Sequence, residues 1–237
     1  MKNKLALVKN VAALQMAYEA LEGRDLGIPG MALVYGETGA GKTTGITWLV
    51  NRTRGVYVRA TASWTLNAML GRVMAELGAN PMGRNAAMVD YIVQQLIEHQ
   101  RPLFVDEADY LLGDARMIET LRDIHDLSGM PVMLVGMANI EKRLIHRPQL
   151  AGRISHWVEF NPADLEDART LAETVCEVQL DDELLEKLHR DCAGSMRLMA
   201  VGLARIEALG KSNGMKTVTA DAWGDRKLHL AAPRGAR

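Results

Sequence analysis

Gly36-Glu37-Thr38-Gly39-Ala40-Gly41-Lys42-Thr43 is a glycine-rich run closed by a lysine and a hydroxyl residue, at the spacing G-x-x-x-x-G-K-[ST]. The chemistry that needs this run is the binding of a nucleoside triphosphate. Such a ligand crowds several negative charges into a small volume. Backbone N–H groups must therefore approach closely, which glycine permits, and a helix N-terminus must face the anion. In this pattern Lys42 reaches the β- and γ-phosphates, the Thr43 hydroxyl is a Mg²⁺ ligand, and Thr44 completes the nucleotide-binding run that starts at Gly36. A second constellation lies in Leu103-Phe-Val-Asp-Glu107, where an apolar run delivers two adjacent acids. Asp106 suits the Mg²⁺ shell, and Glu107 suits the polarisation of an attacking water. Asp109 reads as a helix-start residue rather than a ligand. Asn139 follows the next apolar run, where its amide can bond both a γ-phosphate and the attacking water; a helix N-cap is the other role its type fits. Arg147 and Arg153 flank Pro148-Gln-Leu-Ala-Gly152. An arginine supplied by a neighbouring subunit stabilises charge during phosphoryl transfer by roughly 10³–10⁵ in rate. Arg153 is the preferred finger and Arg147 the runner-up. Arg197, in Gly194-Ser-Met-Arg197, can fold back onto the phosphates and couple nucleotide state to domain angle.

The elements that must position these residues follow from the apolar pattern. Residues 31–35, 55–59, 102–105, 131–135 and 156–160 read as strands. Helical periodicity covers 5–21, 42–52, 63–77, 86–100, 115–127 and 139–145, with Ser63 as a cap. Strands alternating with helices predict an α/β fold, a five-stranded parallel sheet between helices. After Pro162 the pattern is helical only, over 164–175, 181–192, 195–209 and 219–228. The expected organisation is a nucleotide-binding α/β domain over 1–161, a small helical lid domain over 162–228, and a disordered tail over 229–237.

Composition narrows the classes. The 237 residues are 48% apolar, enough for one large core or for one core plus a small second domain. A net charge of −1 supplies no global basic field, so any nucleic-acid contact must come from a local patch. Cys176 and Cys192 lack metal-ligand or redox spacing and read as buried thiols. The start Met-Lys-Asn-Lys-Leu is followed by interrupting polar residues, unlike a secretory leader, and no apolar run nears the ~18 residues of a membrane span. A soluble, cytoplasmic protein is expected.

Taken in order, these motifs resemble the AAA+ ATPases over about residues 5 to 225. Gly36–Thr43 resembles Walker A and Leu103–Glu107 resembles Walker B. Asn139 is similar to sensor 1, Arg153 to the box VII finger, and Gly194–Arg197 to sensor 2. Within that superfamily the compact architecture and Gly-Ser-Met-Arg197 resemble the initiator-type group, which includes the transposition regulators: phage Mu transposition protein B, TnsC and TniB. Val132-Met-Leu-Val-Gly-Met-Ala-Asn139, Gln149-Leu-Ala-Gly-Arg153 and Trp157-Val-Glu-Phe160 are similar to that branch. The resemblance implies ATP and Mg²⁺ as ligands, and ATP-dependent homo-oligomers, filaments or rings, on double-stranded DNA. It also implies delivery of that DNA to a transposase, stimulation of the transposase, and disassembly on hydrolysis. The Mu protein carries a helix-turn-helix domain ahead of its ATPase. Here the loop begins at residue 36, so the ATPase domain itself is expected to hold DNA inside the oligomer.

Polymerisation lets one or two basic contacts per subunit add up along a filament. Arg59, Arg72 and Arg84 are the candidates, with Trp64 nearby and equally suited to the core. Lys142, Arg143, Arg147 and Arg153 form a second basic cluster, assigned to the subunit interface before DNA. Leu7, Val8 and Val11 can line a base pocket or pack in the core. Two other functions fit the motifs: a helicase or replication-initiator loader, and a nucleotide-dependent protein-interaction switch that never touches DNA.

Overall fold

The computed structural model describes residues 1–25 and 27–228. The proposed tail at 229–237 lies outside the described residues. Two compact units divide the described chain: one contains Ala13–Glu37 and Lys42–Phe160, the other Met1–Ala12, Thr38–Gly41 and residues 161–228.

The first unit is built on five parallel strands: β1 (Met31–Gly36), β2 (Val56–Arg59), β3 (Leu103–Asp106), β4 (Val132–Val135) and β5 (Ile154–Phe160). Their order is β2-β3-β4-β1-β5, and every pairing is parallel. The expected α/β fold with a five-stranded parallel sheet is therefore present. β1, β3 and β4 are buried along almost their whole length, which is why they read as continuous apolar runs. β2 and β5 are edge strands with exposed positions.

The helices of this part are α1 (Lys9–Glu22) from Ala13 on, α2 (Lys42–Thr53), α3 (Leu66–Glu76), α4 (Asn85–His99), α5 (Ala115–Ser128), α6 (Ile140–Ile145) and α7 (Pro148–Ala151). Alternation along each strand splits the sheet into two apolar faces. One face packs Leu33, Val105 and Leu134 with Met69 and Val73 of α3, Ile92 of α4 and Leu121 of α5. On the other, Tyr18 of α1 stacks on Phe104, with ring centroids 6.3 Å apart. Both helix stops follow local chemistry. Gln100 and Gly129 adopt left-handed conformations that end α4 and α5.

The other unit carries α8 (Leu165–Val175), α9 (Asp182–Cys192), α10 (Met196–Ser212) and α11 (Ala220–Trp223), with a two-stranded parallel pair, β6 (Gln179–Leu180) and β7 (Thr217–Val218). Asp164, Asp181, Ser195 and Thr219 cap the four helices with side-chain oxygens. Cys176 and Cys192 are free and buried, and burial pushes both thiols up to about 11.

Several boundaries differ from the sequence reading. The helix expected from residue 5 starts at Lys9. The cap of α3 is Thr65, whose hydroxyl accepts from Ala68 N–H, rather than Ser63; the chain at Thr61–Trp64 turns first. The helix expected over 219–228 is one turn, because Gly224 (φ 62°) stops it and Trp223 Nε1 donates to Arg226 O. The short α7 and the β6–β7 pair give too brief a periodic signal to be read in advance.

Candidate nucleotide-binding site

The glycine-rich run joins β1 to α2. Gly36, Gly39 and Gly41 have φ of 148°, 90° and 92°, values that side-chain-bearing residues rarely adopt. At Gly36 the constraint is also steric, since a Cβ there would lie 2.3 Å from the Phe160 carbonyl oxygen. The first-turn N–H groups of α2, beginning at Lys42, have no intrahelical acceptor by helix geometry, and the helix dipole favours an anion in front of them. Lys42 Nζ donates to Gly36 O (2.6 Å) and Glu37 O (2.9 Å). Burial pushes its ammonium pKa down, opposed by Asp106, Glu107, Asp109 and Glu37. A cation already short of water and folded over its own loop is well prepared for a phosphate group.

Asp106 ends β3 and is 3% exposed. Its Oδ1 accepts from Glu107 N–H (2.8 Å). Its Oδ2 accepts from the Thr43 hydroxyl (3.0 Å) and from the Tyr57 hydroxyl (3.0 Å). Among the described residues no Lys or Arg side chain forms an ion pair with it. A buried carboxylate without a cationic partner, beside the Thr43 oxygen, fits a divalent cation. Thr43 and Asp106 are the residues that would hold Mg²⁺, as the spacing predicts.

Glu107 sits in the left-handed region (φ 56°) and leads into a 3-10 turn over Ala108–Gly113. A non-glycine residue held there is strained, and such strain clusters at functional positions. Its carboxylate pairs with Arg59 Nη2 at 2.9 Å. The bond to Glu107 raises the pKa of Arg59. Arg59, a DNA candidate by sequence, is therefore engaged with the candidate catalytic acid, although its side chain remains 60% exposed. Burial raises the pKa of the Tyr57 phenol above its usual range, with Asp106 adding to the shift.

β4 lies beside β3, as expected for the strand that precedes Asn139. Asn139 is left-handed (φ 74°) and flanks α6, but its side chain makes no cap bond; Oδ1 instead accepts from Lys142 Nζ (2.7 Å). Asp109 lies in the first turn of the 3-10 helix, which Ala108 begins, and it accepts from Met137 N–H (2.8 Å), which ties the loop after β3 to the loop bearing Asn139. Sequence reasoning missed that link, and it missed Tyr57 altogether. The alternation Val56-Tyr57-Val58-Arg59 held the signal, because it sends Tyr57 and Arg59 to the same face.

The remaining candidates are dispersed. Arg153 donates to both oxygens of Asp126 (2.7 and 3.0 Å), and its carbonyl accepts from Met31 N–H. It thus stands at the entry end of β1, while the phosphate loop leaves the exit end. Arg147 Nη2 donates to Leu112 O (3.0 Å). Arg72 and Arg84 are exposed on α3 and before α4, as are Lys142 and Arg143 on α6. Trp64 packs partly against the core, Val8 and Val11 are buried, and Leu7 is exposed. In the unit that holds Thr38–Gly41, Arg197 N–H donates to Gly39 O (3.2 Å), and the Arg197 residue is exposed.

Residues 28–144 match the family model described as an AAA domain. A Staphylococcus aureus protein described as a potential ATP-binding protein is 27% identical over 128 residues, 50% of this chain and 46% of that protein; the match therefore spans about half of each. Among solved structures, the Aeropyrum pernix ORC2 protein in its ADPNP–ADP complexes superposes with a TM-score of 0.71 at 17% identity, covering 94% of this chain and 68% of that one. Cdc6p from Pyrobaculum aerophilum gives 0.63 at 17% identity, covering 88% and 63%. The Aeropyrum pernix ORC1 protein in complex with DNA gives 0.64 at 19% identity, covering 92% and 63%. At these identities the structural likeness speaks for the fold. Residues 28–144 are thus similar to an AAA domain, and the five-stranded parallel sheet gives this chain an α/β fold that matches those AAA+ ATPase structures.

Proposed function

We propose that this chain hydrolyses ATP with Mg²⁺ and uses the cycle to assemble on double-stranded DNA, where it delivers target DNA to a transposase and stimulates it. The observation that carries the ATPase reading is the convergence of Thr43 and Tyr57 on the buried Asp106 carboxylate, with Glu107 next in the chain. Lys42 and the α2 N-terminus bind the phosphates. Thr43 and Asp106 would hold Mg²⁺, which would supply charge neutralisation at the phosphoryl group. Glu107 orients the attacking water once it leaves Arg59. Asn139 contributes from the neighbouring strand end after releasing Lys142.

Arg153 lies about five residues of strand, roughly 17 Å, from its own loop, so as a finger it acts on a neighbouring copy. It must also give up Asp126. Arg147 is the alternative. The domain reading stands beside this: an ATPase domain over 1–161 and a helical lid over 162–228, with Arg197 reporting nucleotide state to the lid. DNA contact is assigned to the exposed Arg72 and Arg84, and to Arg59 when it is free of Glu107. The transposition assignment is supported by the resemblance of residues 132–139, 149–153 and 157–160 to that branch. The likeness to the ORC and Cdc6 structures favours a second reading, a replication-initiator or helicase-loading ATPase.

Electron microscopy of the protein with duplex DNA, with and without ATP, separates these readings. Continuous ATP-dependent filaments on duplex DNA, and stimulated strand transfer when a transposase is added, are expected. Discrete rings on a helicase support the second reading. No DNA-dependent change of state removes both.

A further inference from the structure

We infer that Tyr57 is a positioning residue for Asp106, holding the carboxylate in the orientation that receives the divalent cation; this rests on the ATPase reading above. Tyr57 lies on the edge strand β2 between the buried Val56 and Val58, and its register partner on β3 is Phe104. Its side chain runs forward along the sheet and donates to Asp106 Oδ2 at 3.0 Å. The Thr43 hydroxyl donates to the same oxygen at 3.0 Å, and Glu107 N–H donates to Oδ1 at 2.8 Å. Three donors from three chain segments meet one carboxylate that is 3% exposed.

The division of labour follows from what each donor can do. Thr43 spends its proton on Asp106, which leaves its oxygen lone pairs free for a cation. The Glu107 N–H stops the carboxylate pivoting about Oδ1. Neither holds Oδ2 from the β2 side, and Thr43 rides on a helix that follows the phosphate loop. Tyr57 supplies that third point from the sheet, whose position does not depend on the loop. Charge-assisted bonds of this kind are the strong ones among hydrogen bonds.

Tyr57→Phe removes the hydroxyl and keeps the ring. Binding of a fluorescent ATP analogue is measured in EDTA and across a Mg²⁺ titration, alongside thermal unfolding. The expected result is an affinity in EDTA within about twofold of wild type, and a Mg²⁺ concentration for half-maximal tightening that rises about fivefold to tenfold. A second comparison uses Asp106→Asn, in whose background Tyr57→Phe should change the Mg²⁺ dependence no further, because the two residues act as one unit. A Mg²⁺ titration of Tyr57→Phe that overlays wild type overturns the role of Tyr57 alone, as does an additive effect in the double variant. Wild-type protein that binds the analogue with no Mg²⁺ dependence overturns this inference together with the ATPase reading.

Discussion

The glycine-rich loop and the acidic end of β3 are proposed to serve the same ligand but are built on different principles. In the loop the working groups belong to the backbone, and three glycines with φ of 148°, 90° and 92° allow them to converge. At β3 the working groups are side chains, each held by a partner from elsewhere: Thr43 and Tyr57 on Asp106, Arg59 on Glu107. A backbone site is written in contiguous residue types. A side-chain site depends on which strands lie next to each other. The first therefore tolerates little change within the motif, while the second can be tuned from a distance.

Substitutions can break this comparison at either end. The largest effect is expected from Lys42→Ala, because it removes the one side chain the loop contributes to the phosphates. Nucleotide affinity should fall by about 100-fold or more, read by fluorescent-analogue titration, and ATP-dependent assembly should be lost with it. Filaments that still form with ATP would remove Lys42 from that role. Glu107→Gln should keep nucleotide affinity within a few-fold while slowing hydrolysis by about 10²–10⁴, the range for losing a group that handles the attacking water. Phosphate release measured under single-turnover conditions tests it, and persistent filaments should accompany the loss.

Arg59→Ala sharpens the contrast. Its ion pair is largely exposed and worth at most about 1 kcal/mol, so the melting temperature should barely move. Basal hydrolysis should rise by about two- to fivefold as Glu107 is freed. Unchanged hydrolysis combined with weaker duplex binding would instead give Arg59 to DNA alone. A smaller effect concerns the opposite end of the sheet. His125 is 5% exposed, accepts from Gly30 N–H (3.2 Å) through Nε2, and lies with Nδ1 2.9 Å from Met130 O. Burial lowers its pKa; Arg24 and Arg153 act in the same direction, while Met130 O and Asp126 oppose. The neutral ring is thus the native form. Its stabilising contribution is complete above the unfolded value near 6.5 and is lost as pH falls below it. Thermal melts should show a lower midpoint at pH 5 than at pH 7, and His125→Gln should flatten that part of the dependence. An equally steep profile in the variant would assign it to other groups.

Much of this molecule was legible along the chain. The loop Gly36–Thr43, the acids Asp106 and Glu107, and the strand–helix alternation each lie within a few residues of themselves, so local residue type and apolar period report them. The same period failed where elements were a single turn, as at α7 and α11, or where Thr61–Trp64 turned before α3 could begin.

What the amino-acid order settled without help was the α/β plan, and it also carried the pattern on which the proposed phosphate ligand rests, because phosphate binding and sheet burial both impose contiguous patterns. What only folding decided was the company those groups keep. Tyr57 and Arg59 reach acids 49 and 48 residues away because the order β2-β3-β4-β1-β5 seats β2 against β3. Arg153 pairs with Asp126, 27 residues away, where α5 packs against α7, the short helix just before Arg153. Hydrogen bonds and ion pairs act over a few ångströms of space, and residue spacing along an unfolded chain carries no measure of that distance.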